Sequence, residues 1–430
     1  MKKNKFLKSS IILIIGGTIT KILGLLIKIL LTRKIGTIGI GLYSMIMPSF
    51  MLMLSISGMG LSTALNVLIA SNKYNNKNLI TTALIISLSI DIIIFFVLFL
   101  FGNVITTHLL QDQRLYYPLL SISFVLPFIS ISNIFRTYYF SKERMLPHVI
   151  SNILEDVIKL TIIYFGIDYF SHNIETMLTF IILSNILCEL SSITIFIFCF
   201  PKFKVTKKDI SFNKKNIKDI FKIAIPTTLS RLVGSFTYFL EPIILTTILL
   251  KVGYSNNFIV TEYGIINGYV LPLIMLPSFF TNAISQALMP IVSKNFHNGN
   301  LQFAKKKIKQ AIFLSILIGI FYSIICFIFG DELLYLLYKT NKGVNYIRFL
   351  IPIFLFYYLE APLLSTLQAL NKAKLQLRIS IINFFIRTVI LSILTCFSMG
   401  MFGLLISVSL NILFTVFYSV KEISKILCKK

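Results

Sequence analysis

Charge is scarce in this chain, and acidic charge scarcer still: only 13% of its residues are charged, 16 acidic against 41 basic. With 56% hydrophobic residues and a mean hydropathy of +0.85, that excludes an ordinary soluble domain. The five cysteines, Cys188, Cys199, Cys326, Cys396 and Cys428, form no CxxC, so neither a disulfide framework nor a thiolate metal site is indicated. His108, His148, His172 and His297 have no partner at ligand spacing, which argues against zinc. No GxGxxG, Walker loop, GxSxG or HExxH occurs, so the sequence gives no reason to expect an ATPase, a catalytic centre or a cofactor. Any transport must then draw on a proton gradient, a sodium gradient or the membrane potential, which is worth ~2.3 kcal/mol per charge per 100 mV.

What the chain does have is long apolar runs. Twelve recur, at 9–31, 43–70, 79–101, 116–140, 146–167, 177–200, 223–250, 263–293, 311–330, 349–370, 379–398 and 402–420. Each is long enough to cross ~30 Å of hydrocarbon as a helix and too long for the strand of a barrel. An all-α membrane protein is expected, in two six-helix bundles, 1–205 and 206–430. The opening MKKNKFLKSSIILIIGG imitates a signal peptide but has no small-residue cleavage site, and is read as a retained first helix.

A formal charge of +25 invites a nucleic-acid reading, which would need basic residues gathered on a recognition fold. Instead, of the 41, 28 lie in the termini and loops on the amino-terminal side of the twelve spans, 7 in the opposite loops and 6 inside spans. That asymmetry places both termini in the cytoplasm of a plasma-membrane protein and excludes nucleic acid as partner. The segment 201–222, with eight lysines, joins the halves and attracts anionic lipid headgroups at ~1 kcal/mol per basic residue.

Ionised side chains inside the spans point to function, because a lone charge at the bilayer centre costs ~2.5–3.5 kcal/mol on insertion scales. The bases are Lys21, Lys28, Arg136, Lys159, Arg231 and Arg387; the acids are Asp91, Glu155, Asp156, Glu189, Glu241 and Glu360. Equal numbers imply a shared polar interior. TITKILG (18–24) in the first span aligns without a gap with TLSRLVG (228–234) in the seventh, matching Lys21 to Arg231 and Gly24 to Gly234. Parallel repeats of this kind suit a transporter with a central cleft and alternating access. Gly17, Lys21, Gly24 and Lys28 share one helical face, as do Arg231, Gly234, Ser235 and Tyr238, and the two faces are expected to oppose each other. Lys21, Lys28 and Arg231, with Tyr238, are candidate binders of a phosphate-bearing headgroup, since both cation types take phosphate oxygens. Arg387, one turn after Asn383, is the expected partner of Glu241 in a charge-pair gate that also draws on Glu360. Glu155 and Lys159, at i and i+4, are expected to neutralise each other. Arg136 either snorkels to the interface or faces the cavity. Asp91 and Glu189 have no evident companion.

The stretches KILGLLIKILLTRKIGTIGIGLYSMIMP (21–48), AIPTTLSRLVGSFTYFLEPI (224–243) and GYVLPLIMLPS (268–278) resemble the polysaccharide-export branch of the MOP (multidrug, oligosaccharidyl-lipid, polysaccharide) transporter superfamily. The resemblance implies a MATE-like bundle pair and a flippase for a lipid-linked oligosaccharide, namely undecaprenyl-pyrophosphate-linked peptidoglycan precursor (lipid II), serving spore cortex or wall synthesis with wall-synthesis proteins as partners. Lys21 falls where lipid II flippases carry a functional arginine, and Arg33 and Gly36 also match. Leu52 and Pro272 stand where those flippases have two further cavity bases. Many relatives carry two more carboxy-terminal helices that form a groove for the lipid tail; here twelve spans are expected. The residues alone leave two other readings open, an organic-cation antiporter and a non-transporting scaffold for wall-synthesis enzymes.

Overall fold

A computed structural model of the chain describes residues 2–70, 74–142, 144–170, 172–199, 214–370, 372–397 and 399–428. Residues 201–213 of the lysine-rich segment therefore lie outside the described residues. Every element among the described residues is helical. They are α1 (Lys2–Gly58), α2 (Leu61–Ala70), α3 (Asn76–Val104), α4 (Tyr116–Ser141), α5 (Met145–Gly166), α6 (Ile174–Cys199), α7 (Lys214–Val252), α8 (Asn256–Gly264), α9 (Leu271–Ile274), α10 (Ser278–His297), α11 (Leu301–Ile328), α12 (Gly330–Tyr338), α13 (Val344–Ala369), α14 (Ala373–Cys396) and α15 (Phe402–Cys428), with π-type and 3₁₀ turns between some of them.

Among the described residues, nine helices pass a simple length-and-hydropathy test for crossing a membrane. The twelve expected spans are recovered once three features are recognised. First, α1 and α2 together cover two spans, because α1 breaks its direction at Gly36 (φ 69°, ψ −178°), a conformation essentially confined to glycine. Second, the eighth span is a broken pair bent by 55°, from Asn256–Ile274 into Ser278–Phe296. Third, α5 is a helix of 22 residues whose Glu155, Asp156 and Lys159 mask its apolar character.

Two boundaries differ from the sequence expectation. The second span does not run unbroken from 43 to 70: Met59 and Gly60 both take positive φ, ending α1 and starting α2. The eighth is interrupted by a π-type turn at Ile265–Val270 and by non-helical residues before Ser278. Irregular backbone at membrane depth must be satisfied by protein. Here Tyr322 of α11 donates to the carbonyl of Leu273 at 2.9 Å, and Tyr358 of α13 donates to that of Ile274 at 2.6 Å.

By their contacts the residues fall into two compact units, Met1–Phe239 and Leu240–Lys430, the division lying within α7. In the first, α4 packs along α6 and α3, and α5 along α1 and α6. Its core joins Leu65 and Ile69 of α2 to Ala83 of α3, Tyr139 of α4 and Phe196 of α6, with the Tyr139 hydroxyl donating to the Phe196 carbonyl at 2.8 Å. In the second, α13 is the hub, packed on α10, α11 and α15. Many large apolar side chains outside these cores, such as Phe99, Phe165, Phe313 and Phe321, are exposed, as expected of a surface solvated by lipid.

Candidate functional site

The first unit contains an open cavity of about 490 Å³. Leu54, Ser55 and Gly58 of α1, Ser62, Thr63 and Asn66 of α2, Asn133, Arg136, Thr137 and Phe140 of α4, His148 of α5 and Arg231 of α7 line it. Among the described residues that line it are two guanidinium groups and no carboxylate; hydroxyls, amides and one imidazole complete the polar wall. Such a lining offers donors to an anion and no counter-charge to a cation.

The break between α1 and α2 sets this geometry. At Gly60 (φ 60°) an added Cβ would lie 2.3 Å from Thr227 Oγ1 and 2.6 Å from the Ala224 carbonyl oxygen, so only glycine allows α7 to approach so closely. Arg231 lies one turn further along α7. Its Nη2 reaches Thr63 Oγ1 at a long 3.4 Å, and Ser55 Oγ meets Ser235 Oγ at 2.6 Å, tying α7 to α1. Arg231 is exposed and makes no other hydrogen bond or ion pair among the described residues, leaving most of its five donors available.

Arg136 occupies a different environment. Its Nη2 donates to Glu155 Oε2 at 2.9 Å and to Ser132 Oγ at 3.3 Å, and stands 3.9 Å from Glu189 Oε2. Glu189 thus has a companion that its position in the sequence did not reveal. Glu155 does not pair with Lys159 as expected: Ser192 donates to Glu155 Oε2 at 3.2 Å, and Lys159 donates to Asn185 Oδ1 at 2.8 Å. An i,i+4 pair is worth only ~0.2–0.5 kcal/mol, so partners on neighbouring helices displace it readily. Arg136 accordingly faces the cavity and does not snorkel to the interface.

Lys21 and Lys28 are not among the residues lining the cavity, so the structure does not gather them with Arg231 there. Lys21 is exposed and Lys28 half-buried. Gly17 and Gly24, on the Lys21 face, have open space where a Cβ would stand, whereas Gly16 is packed so that a Cβ would meet Val149 Cγ1 at 2.2 Å. Gly234 beside Arg231 is likewise open, so the repeated Lys21/Gly24 and Arg231/Gly234 positions share one environment: an exposed base beside an uncovered glycine. Tyr238 is 53% exposed and does not line the cavity.

In the second unit the structure brings Glu241 and Arg387 together. Arg387 Nε donates to Glu241 Oε2 at 2.7 Å, Nη2 reaches the same oxygen, and Tyr263 donates its hydroxyl to Oε1 at 3.2 Å. Glu241 is only 3% exposed. Asn383 Nδ2 donates to Thr415 Oγ1 at 2.8 Å, and Asn411 Nδ2 donates to the Asn383 carbonyl at 3.1 Å. Glu360 is half-buried, within electrostatic reach of Arg387, and makes no hydrogen bond among the described residues. Asp91 is buried at 1% exposure against Ser57 and Ser130, whose hydroxyls bond each other at 2.8 Å.

Sequence reasoning missed the neutral part of the wall: Ser62, Thr63, Asn66, Asn133, Thr137 and His148. Asparagines inside apolar runs were the available signal, but their common orientation depends on the helix break at Gly60. Near the end of α2, Tyr74 donates its hydroxyl to Asp219 Oδ2 at 2.8 Å, and that carboxylate holds the phenol above its ordinary pKa.

Comparison with known proteins places this architecture. The family model described as "Polysaccharide biosynthesis protein" matches residues 6–296, and that described as "MatE" matches 234–394. Stage V sporulation protein B of Bacillus subtilis (strain 168) is 31% identical over 99% of this chain and 85% of its own length. The lipid II flippase MurJ of the same organism is 20% identical over 86% of this chain and 74% of its own length. Among solved structures, a multidrug resistance MATE family transporter of the MOP superfamily in an inward-facing conformation superposes with a TM-score of 0.78, at 15% identity and 96% coverage of both chains. That likeness establishes the twelve-span MATE fold alone. With its family-model match over residues 6–296 and a 31% identical relative along nearly its whole length, the chain belongs to the polysaccharide biosynthesis protein family, and its many apolar helices make it a multi-pass membrane protein.

Proposed function

We propose that this protein moves a lipid-linked oligosaccharide from the cytoplasmic to the outer leaflet by alternating access, holding its phosphate-bearing headgroup in the cavity of the first unit. The observation that carries this reading is the lining of that cavity: among the described residues it has two guanidinium groups, Arg231 and Arg136, and no carboxylate. A guanidinium presents its donors in a planar fork matched to phosphate oxygens, and Arg231 has most of them free. An organic cation would find donors and positive charge where it needs acceptors and aromatic faces.

Among lipid-linked glycans, undecaprenyl-pyrophosphate-linked peptidoglycan precursor is the cargo we favour. One relative is named a lipid II flippase and another a sporulation protein, which supports a role in spore cortex or wall synthesis. The excess of lysine and arginine in the loops on the amino-terminal side supports cytoplasmic termini. Lys21, exposed on an open helical face, meets the headgroup or its glycan outside the cavity.

The test is accumulation of lipid-linked precursor in the inner leaflet of cells carrying Arg231→Glu as their only flippase. Export should fall at least 100-fold while the protein still reaches the membrane. Normal arrival of precursor at the outer leaflet would refute the reading. Loss of cation resistance in its place would indicate an antiporter, and indifference of both would indicate a scaffold.

A further inference from the structure

Behind the cavity the buried charges are out of balance. One guanidinium, Arg136, stands between two carboxylates, Glu155 at 2.9 Å and Glu189 at 3.9 Å. Glu189 Oε2 is buried and has no hydrogen-bond partner, and Arg136 Nε is likewise buried and unmatched. An unmatched buried donor or acceptor costs ~1–3 kcal/mol, more when the group is charged. Arg136 and Glu189 therefore keep hydrogen-bonding capacity that the described residues do not fill. Arg136 also lines the cavity, so its fork is reachable by whatever enters.

The remaining charged groups near the pair do not restore the balance. On α5, Asp156 adds a third carboxylate, and Lys159 is engaged with Asn185. His148, also on α5, has an unmatched buried Nδ1 and lines the same cavity. From α6 comes Glu189 with its neighbour Cys188; from α7, Arg231 faces the cavity without a carboxylate partner. The helix packed along α5, α1, engages its Lys34 with Asp168 at 2.6 Å, far along the chain from Glu155, and Lys21 is exposed.

We propose that Arg136 links headgroup binding to a proton: an entering phosphate takes the guanidinium from Glu155, and the displaced carboxylate binds one proton from the cavity water. The inference rests on the reading of the cavity as a phosphate site. Phosphate and carboxylate compete for the same fork, and phosphate brings more charge and more acceptor oxygens. Glu155, released beside Glu189 and Asp156, then has like charges for neighbours and keeps only the Ser192 hydroxyl at 3.2 Å. Like charges around a carboxylate favour its protonated form. The occupied site consequently holds its anion with one negative charge fewer than headgroup and bare carboxylates together. When the phosphate departs, the guanidinium returns to Glu155 and the proton is released to water. No bond other than O–H forms or breaks.

The test uses the purified full chain in detergent, with inorganic pyrophosphate as probe. Titration calorimetry at pH 7.5 in two buffers of different ionisation enthalpy reads the protons taken up per pyrophosphate bound. The wild type should take up about one proton more than Glu155→Gln; the difference cancels the ionisation of pyrophosphate itself. Glu155→Gln should bind at least as tightly, having lost the competitor, and its Kd should be flatter with pH, where the wild-type Kd rises about tenfold per pH unit over the range in which one proton is taken up on binding. Glu155→Asp keeps a carboxylate and should keep the uptake, which separates proton binding from a general loss of fold. Equal proton counts in wild type and Glu155→Gln, with binding intact in both, would overturn the coupling and leave the phosphate site standing. No binding of pyrophosphate to the wild type would overturn the phosphate reading, and the coupling with it.

Discussion

Removing Arg387 while leaving Glu241 in place strands a carboxylate that is 3% exposed, with only the Tyr263 hydroxyl at 3.2 Å as partner. Breaking a buried pair from one side typically costs ~3–5 kcal/mol, most of it the desolvation of the group left behind. The penalty has a ceiling, because the carboxyl can always be neutralised by the solvent. That escape costs ~1.36 kcal/mol for each unit by which the pH exceeds the ordinary glutamate value near 4.3, hence about 3.7 kcal/mol at pH 7 and about 1.6 kcal/mol at pH 5.5. Arg387→Met should therefore be destabilised by roughly 3–4 kcal/mol at pH 7, and by less than half of that at pH 5.5. Glu241→Gln/Arg387→Met together should recover most of the loss, since no buried charge remains. The chain supplies its own reporter. It has no tryptophan, but Cys326 in the same unit is 1% exposed, so a maleimide dye that fluoresces on reaction detects its exposure during heating. Cys199 and Cys396, both exposed, are replaced by serine beforehand, together with Cys188 and Cys428. At ~2–4 °C per kcal/mol for a unit of this size, the single variant should melt about 10 °C early at pH 7. A melting point equal to that of the parent at pH 7, or a deficit that does not shrink on acidification, would refute the claim that this pair holds the second unit together.

Two further outcomes follow from close approaches in the first unit. Gly60→Ala puts a methyl 2.3 Å from Thr227 Oγ1 at a positive φ, so it should cost about 1–3 kcal/mol and shift Arg231, read as an earlier melt in a protein that keeps Cys188 as its single cysteine, together with weaker pyrophosphate binding. Gly16→Ala should destabilise through Val149 at 2.2 Å and be rescued by Val149→Ala, whereas Gly17→Ala and Gly24→Ala, with open space around them, should melt as the parent does.

The number and position of the spans were legible because hydropathy reports directly on lipid contact. Their interruptions were not. Nothing in an apolar run marks that α1 continues through Gly36 with a change of direction, since the glycine's φ is set by where the two legs must go. The break at Met59–Gly60 had a signal in SGMG, and the bend before Ser278 had one in Pro272 and Pro277, but both were outweighed by the hydropathy around them. The pairing of Glu241 with Arg387 could be anticipated because each lacked a nearer partner. The partners of Glu155 and Lys159 could not, because an adequate local pair stood on the same helix and only tertiary packing offers Arg136 and Asn185 instead. The neutral wall of the cavity was hidden for the same reason: hydroxyls and amides on three helices acquire a common purpose only after those helices meet.

What separates a binding arginine from a structural one here is how much of its hydrogen-bonding capacity the protein already uses. Arg387 is held at two nitrogens by Glu241 and is nearly buried, so its fork is spent inside the second unit. Arg231 makes one long bond to a threonine and remains exposed. Arg136 is intermediate, held by Glu155 yet open to the cavity and unmatched at Nε. The same criterion explains how a repeated basic position tolerates both side chains. At Lys21 and Arg231 the base sits exposed beside a glycine with nothing over it, a setting that asks chiefly for positive charge within reach of an anion, which an ammonium supplies as a point and a guanidinium as a fork. At Arg387 two donors, Nε and Nη2, converge on one buried carboxylate oxygen, an arrangement a single ammonium nitrogen does not reproduce.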